Sequence, residues 1–182
     1  MRRYEDSKGR QRVALAVRSD LTIEAQVKAN GATWLDRQLL ARGATSLSDG
    51  GFGGDVRAAM DVRVDFLVSE GLARRQGQRV IFIRDLLETL RQRELDTAGA
   101  KISAETGLPY HSVAEGESIA GIYRQRVSLA SGRFAMIDDG LGFSLVPWTP
   151  SLQRQLGRQV SGVVRSGGAI DWSFGRKRGL GL

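Results

Sequence analysis

The sequence predicts an α+β chain: an N-terminal winged-helix-like helical unit followed by a small five-stranded β-barrel, OB-like or SH3-like. Three observations carry that expectation. Apolar residues recur at helical spacing in the first half of the chain and at a period of two after residue 117. A short basic hairpin lies between two helical patterns, which is the element order of a winged helix. The last third offers five alternating runs separated by glycine-bearing turns.

Residues 1–29 are polar and basic and read as a tail or the remnant of a preceding element, with Val13–Val17 as an orphaned strand-like run. From Asn30 the pattern turns helical. Thr33 is placed to cap a helix carrying Trp34, Leu35, Leu39 and Leu40, and Gly43 to stop it. Ser48–Gly54 reads as a glycine-rich loop; it lacks the Lys-Ser/Thr ending of a phosphate-binding loop. Asp55 is then expected to cap an amphipathic helix with Val56, Met60, Val64 and Leu67 on one face, ended by Gly71.

Two short β segments follow, Leu72–Arg75 and Arg79–Ile83, joined through Gln76-Gly77-Gln78. Asp85 opens a further helix with Leu86, Leu87, Leu90 and Leu95 as its apolar stripe, closing a winged-helix-like domain over residues 30–96. Residues 97–117, with Gly107, Pro109 and Gly116, read as a linker. Residues 118–182 read as the barrel with a basic C-terminal tail. Its strands are marked by Ile119, Gly121, Tyr123, Val127 and Leu129, by Phe134, Met136 and Ile137, and by Leu141, Phe143 and Leu145. Ser151 is expected to cap one helical turn, before strands at Val160–Val164 and Ile170–Phe174.

Composition narrows the chemistry. The chain has 182 residues, 41% of them apolar, enough for a real core. It contains no cysteine, which excludes disulfides, thiolate catalysis and Cys-bearing zinc sites. With His111 as the one histidine, multi-histidine metal clusters are excluded too. Asp138 and Asp139 are adjacent in a turn, where Asp is expected anyway, and no serine sits in a nucleophile elbow. No catalytic residue, metal or cofactor is therefore assigned. No signal peptide or membrane-length apolar run is visible, so the expected location is cytoplasmic, without a membrane partner.

What remains is a net charge of +7 and a pI near 10.5, which favour an anionic partner. Arginines supply 23 of the 27 basic residues, and their planar donor forks suit phosphates and base edges. A GC-rich genome would give the same bias. The candidate nucleic-acid-binding residues are Arg74, Arg75 and Arg79 on the hairpin, with Arg57 and Arg63 on the preceding helix. The bland alternative is a solvated hairpin pairing with Glu70, Asp85 or Glu88. On the barrel, Trp148 lies between two prolines, breaks the alternation and is expected at the surface as a base-stacking ring. Arg176, Lys177 and Arg178 form a compact basic cluster suited to phosphates, or a solvated tail.

Four segments carry a family resemblance: Asn30–Arg37, Glu70–Phe82, Leu129–Ile137 and Trp172–Arg176. Together they resemble the C-terminal region, a domain of unknown function, of bacterial conjugative relaxases, the mobilisation nucleases similar to the agrobacterial T-DNA border enzyme. The resemblance covers roughly residues 28–182. It implies a role in plasmid mobilisation or conjugal transfer. The family's nuclease domain uses a tyrosine and a histidine-held metal; Tyr4, Tyr110 and Tyr123 do not sit in its motif, so no catalytic residue carries over. The implied partners are DNA, duplex and single-stranded, together with a relaxase nuclease domain or type IV secretion components. The expected function is a non-catalytic DNA-binding accessory module of a relaxase, with a protein-interaction module as the alternative.

Overall fold

The computed structural model describes residues 2–5, 11–14, 21–41 and 51–174. The chain forms two compact units, Met1–Arg91 and Gln92–Leu182. Among the described residues no helix is long and apolar enough to cross a membrane.

In the first unit, β1 (Arg2–Glu5) pairs antiparallel with β2 (Gln11–Ala14). The run read as orphaned thus begins in a strand with a local partner. Helix α1 (Ile23–Val27) is capped by Thr22, whose hydroxyl accepts the Ala25 N–H at 3.1 Å. It does not belong to a tail, because Val27 joins Trp34, Leu35, Val56 and Ala59 in one apolar cluster. Thr33 caps α2 (Trp34–Leu40) as its sequence implied, in a reciprocal box with Asp36. Gly43 lies outside the described residues.

Helix α3 (Gly51–Ser69) starts earlier than the expected Asp55 cap. Glycine costs about 1 kcal/mol per helical position relative to Ala, which favours a loop for Gly51–Gly54. Burial of Val56, Val64 and Leu67 further along the same helix outweighs that preference. After Gly71, in the left-handed region at φ +72°, the chain turns into β3 (Ala73–Gln76) and β4 (Arg79–Phe82), an antiparallel hairpin. Ala32, Leu67, Leu72, Ala73, Leu86 and Leu90 make the second cluster of this unit.

Helix α4 spans Leu86–Thr106, so residues 97–106, expected in a linker, are helical. Gly107, Pro109 and Gly116, which suggested the linker, all lie beyond the end of this helix, and Gly99 lies inside it. A Cβ there would lie 2.5 Å from Tyr110 ring carbons, so this glycine marks a close approach and not a helix break. Gly99→Ala is accordingly expected to destabilise the second unit by about 1–3 kcal/mol despite alanine's better helix propensity, measured by urea unfolding.

The second unit holds β5 (Ser118–Leu129), β6 (Gly132–Asp138), β7 (Phe143–Pro147), α5 (Pro150–Gln153), β8 (Gln159–Val164) and β9 (Ile170–Trp172). The helical turn starts at Pro150, with Thr149 and not Ser151 at the cap position. The strands form an antiparallel sheet in the order β7-β6-β5-β8-β9. The five expected strands are present, but the sheet is not closed into a barrel: β7 and β9 are its two edges. Period-two alternation reports one buried face and carries no information on whether the edge strands meet, so an open sheet satisfies it as well.

Strand β5 serves both halves of this sheet. Ser118–Ile122 pairs with β8, and Ile122–Leu129 pairs with β6. The register shifts between Tyr123 and Gln125, where Arg124 is the extra residue of a bulge. That shift turns the later residues over. Ile119 and Tyr123 face one cluster with Ala135, Ile137, Val146, Leu152, Val160 and Val164. Val127 and Leu129 face the other, where Leu95 and Ile102 of α4 meet Phe134, Met136, Phe143 and Leu145. Phe134, Ala135, Met136 and Ile137 are consequently all buried, the pattern of a strand covered on both faces.

Candidate nucleic-acid interface

The hairpin grows directly out of the end of α3. Leu72 N–H bonds to the Leu67 carbonyl at 2.8 Å and Gly71 N–H to Val68 at 3.0 Å, closing the helix and aiming the chain into β3. Gly77, at φ +61°, makes the tip. The register pairs Arg74 with Ile81, Arg75 with Val80 and Gln76 with Arg79. Ala73, Val80 and Phe82 turn toward the core, so Arg74 and Arg79 share the opposite, outward face. Both are exposed. Arg75 is on the inner face and pairs with Asp65 of α3, although both side chains stay more than half exposed. Such an exposed pair contributes about 0–1 kcal/mol and can be exchanged for a phosphate. Arg57 is exposed on α3.

Arg63 is a correction. It projects into the protein and not from it, at 0% exposure. Its guanidinium donates to Asp36 Oδ1 and Oδ2 at 2.8 and 2.9 Å, and to the carbonyls of Val27, Ala29 and Gly31 at 3.2, 2.6 and 2.9 Å. Those five bonds use all five N–H donors. Its Cζ also lies 4.8 Å from the Phe66 ring centroid. Every donor is spent inside the fold, and nucleic acid cannot reach it.

Trp148 is half-buried against the first cluster of the second unit, not a fully exposed ring. Two exposed arginines that sequence reasoning missed lie over it, Arg126 of β5 at 5.1 Å and Arg133 of β6 at 5.9 Å from its centroid. Arg126 pairs across the strands with Ala135 and Arg133 with Ser128, so both stand on the Trp148 side of the sheet. The signal was available only as arginines at alternate strand positions; their convergence on one ring depends on the bulge. Arg176, Lys177 and Arg178 lie outside the described residues.

Acid–base groups elsewhere point to anchoring. Burial, reinforced by Asp96, pushes the Tyr110 phenol up to about 12, so it is protonated at neutral pH. Backbone N–H groups of Leu141 and Gly142 hold the Asp139 carboxyl below its usual range, as expected of a turn anchor. Among the described residues no three His, Asp or Glu side chains gather as a metal site.

No curated protein and no solved structure matches the chain. One family model does, over residues 1–181, and its description is a protein of unknown function. With that match spanning almost every residue, the chain belongs to the DUF3363 family.

Proposed function

We propose that this chain is a non-catalytic, cytoplasmic DNA-binding accessory module of a conjugative relaxase, acting in plasmid mobilisation or conjugal DNA transfer. The first unit engages duplex DNA in the manner of a winged helix, and the second holds a strand or a partner. The observation that carries the reading is the hairpin: Arg74 and Arg79 share its exposed outward face, with Arg75 on the other face paired to Asp65 and Arg57 on the preceding helix. The net charge of +7 and the likeness of four segments to relaxase C-terminal regions support it. Phosphate contacts of this kind position a duplex without reading its sequence.

The test is duplex binding by the chain carrying Arg74→Ala, Arg75→Ala and Arg79→Ala, followed by fluorescence anisotropy at low salt. The affinity is expected to drop about tenfold or more if three phosphate contacts are lost. Wild-type affinity in that variant would remove the hairpin from the interface.

A second reading has its own observation. Leu39 and Leu40 of α2 and Val80, Ile81, Phe82 and Ile83 at the hairpin line a groove of about 650 Å³, together with Gln76 and Arg79. Leu40, Ile81 and Ile83 are each exposed by more than a third. Such a mixed apolar and polar groove suits a protein partner, a relaxase nuclease domain or a type IV secretion component. Capture of such a partner by a chain that shifts neither duplex nor single strands would favour it.

A further inference from the structure

We infer that Arg126, Arg133 and Trp148 form a binding site for single-stranded nucleic acid on the second unit. The inference deepens the nucleic-acid reading above but uses none of the hairpin arginines. Between Ser118 and Leu182 there are nine Lys and Arg residues against three acids. All three acids are engaged: Asp138 with Arg124, Asp171 with Arg165, and Asp139 with the backbone of its own turn. Arg126 and Arg133 both lie over the Trp148 ring, and Arg126 has no carboxylate partner among the described residues.

Geometry then specifies the ligand. The bulge at Arg124 puts Arg126 on the face of β5 that Trp148 borders. The Trp148 N–H donates to the Arg133 carbonyl at 2.9 Å, tying the ring's backbone to the strand that carries the second arginine. The ring's indole nitrogen is buried without a hydrogen-bond partner among the described residues, and both guanidiniums lie within cation–π reach of the ring. A guanidinium kept within cation–π reach of an aromatic ring is partly immobilised and loses less freedom when it binds. Its outer plane can take a nucleobase, and its N–H edge a phosphate oxygen. A duplex keeps its base faces stacked on one another and offers phosphates and groove edges but no free base face. A single strand offers both, which makes it the ligand this arrangement fits.

The experiment uses the full chain with a labelled oligo(dT) strand and a mixed-sequence duplex, with far-UV circular dichroism and thermal melting to check folding. Arg126→Ala/Arg133→Ala is expected to weaken single-strand binding about tenfold or more, from stacking contributions of ~1–3 kcal/mol per base. Duplex binding should change by less than about threefold. Arg126→Lys/Arg133→Lys keeps both charges without the planar fork, and should lose most of the single-strand affinity while retaining the salt dependence. The hairpin triple variant should show the reverse pattern, weak on duplex and unchanged on oligo(dT), so failure of either site is visible separately. If the alanine pair melts early, the lysine pair decides. The inference is overturned by wild-type oligo(dT) affinity in the alanine pair, by equal losses on both ligands, or by full recovery with lysine.

Discussion

Replacing Arg63 by Ala is expected to lower the stability of the first unit by about 3–5 kcal/mol, the cost typical of breaking a fully buried ion pair. Whole domains are stable by only about 5–15 kcal/mol, so a loss of that size is a large fraction of the total. The mechanism is specific. Asp36 would keep its Thr33 cap contacts at 2.7 and 2.9 Å but lose both guanidinium bonds in a site without water exposure. Three carbonyls, Val27, Ala29 and Gly31, would lose donors at the same time. Replacing both charges, as Asp36→Leu/Arg63→Met, removes the unpaired carboxylate but leaves those carbonyls unsatisfied. It should therefore rescue only part of the loss, unlike a simple buried pair. Urea unfolding followed through Trp34, buried in the neighbouring cluster, would show it. Near-wild-type stability in Arg63→Ala would mean that the guanidinium does not organise this core.

Phe143→Ala should be comparably damaging to the second unit, by about 3–5 kcal/mol. The side chain is 1% exposed among Leu95, Ile102, Phe134, Met136 and Leu145, and its ring lies 5.5 Å from Tyr110. Its backbone also bonds on both sides of residue 110, accepting from His111 N–H and donating to the Pro109 carbonyl, each at 2.9 Å. A cavity there would loosen the packing between α4 and the sheet and the segment that lies along the edge of β7. For a unit of this size the melting midpoint should fall by roughly 4–8 °C per kcal/mol. A shift of only a few degrees would show that neighbouring side chains collapse into the space.

Much of the local structure was legible because it is written in nearest neighbours. Thr33 and Asp36 sit three apart and cap a helix; Gly77 and the Asp138-Asp139-Gly140 run make turns; five alternating runs make five strands. What the sequence hid were relations between distant residues. Arg63 looks like one more surface arginine until its partner Asp36 is found on another helix. Val127 and Leu129 share parity with Ile119 and Tyr123, yet the bulge between them sends the two pairs into different cores. Closure of the sheet likewise depends on whether its edge strands meet, which no strand's own pattern encodes. The same holds for the candidate sites. The hairpin arginines were legible because a glycine turn flanked by basic strands is local. The Arg126–Trp148–Arg133 cluster draws on β5, β6 and the turn after β7 and needs the fold to exist.

The most direct test of the DNA-binding account is the salt dependence of duplex affinity for the wild-type chain and for the hairpin triple variant. Each phosphate neutralised contributes about −0.9 to the slope of log K against log salt. The account predicts a clearly negative wild-type slope that flattens by roughly two to three in the variant, one increment per arginine removed. A wild-type chain that binds no duplex at low salt, or a slope unchanged by removing Arg74, Arg75 and Arg79, would contradict it.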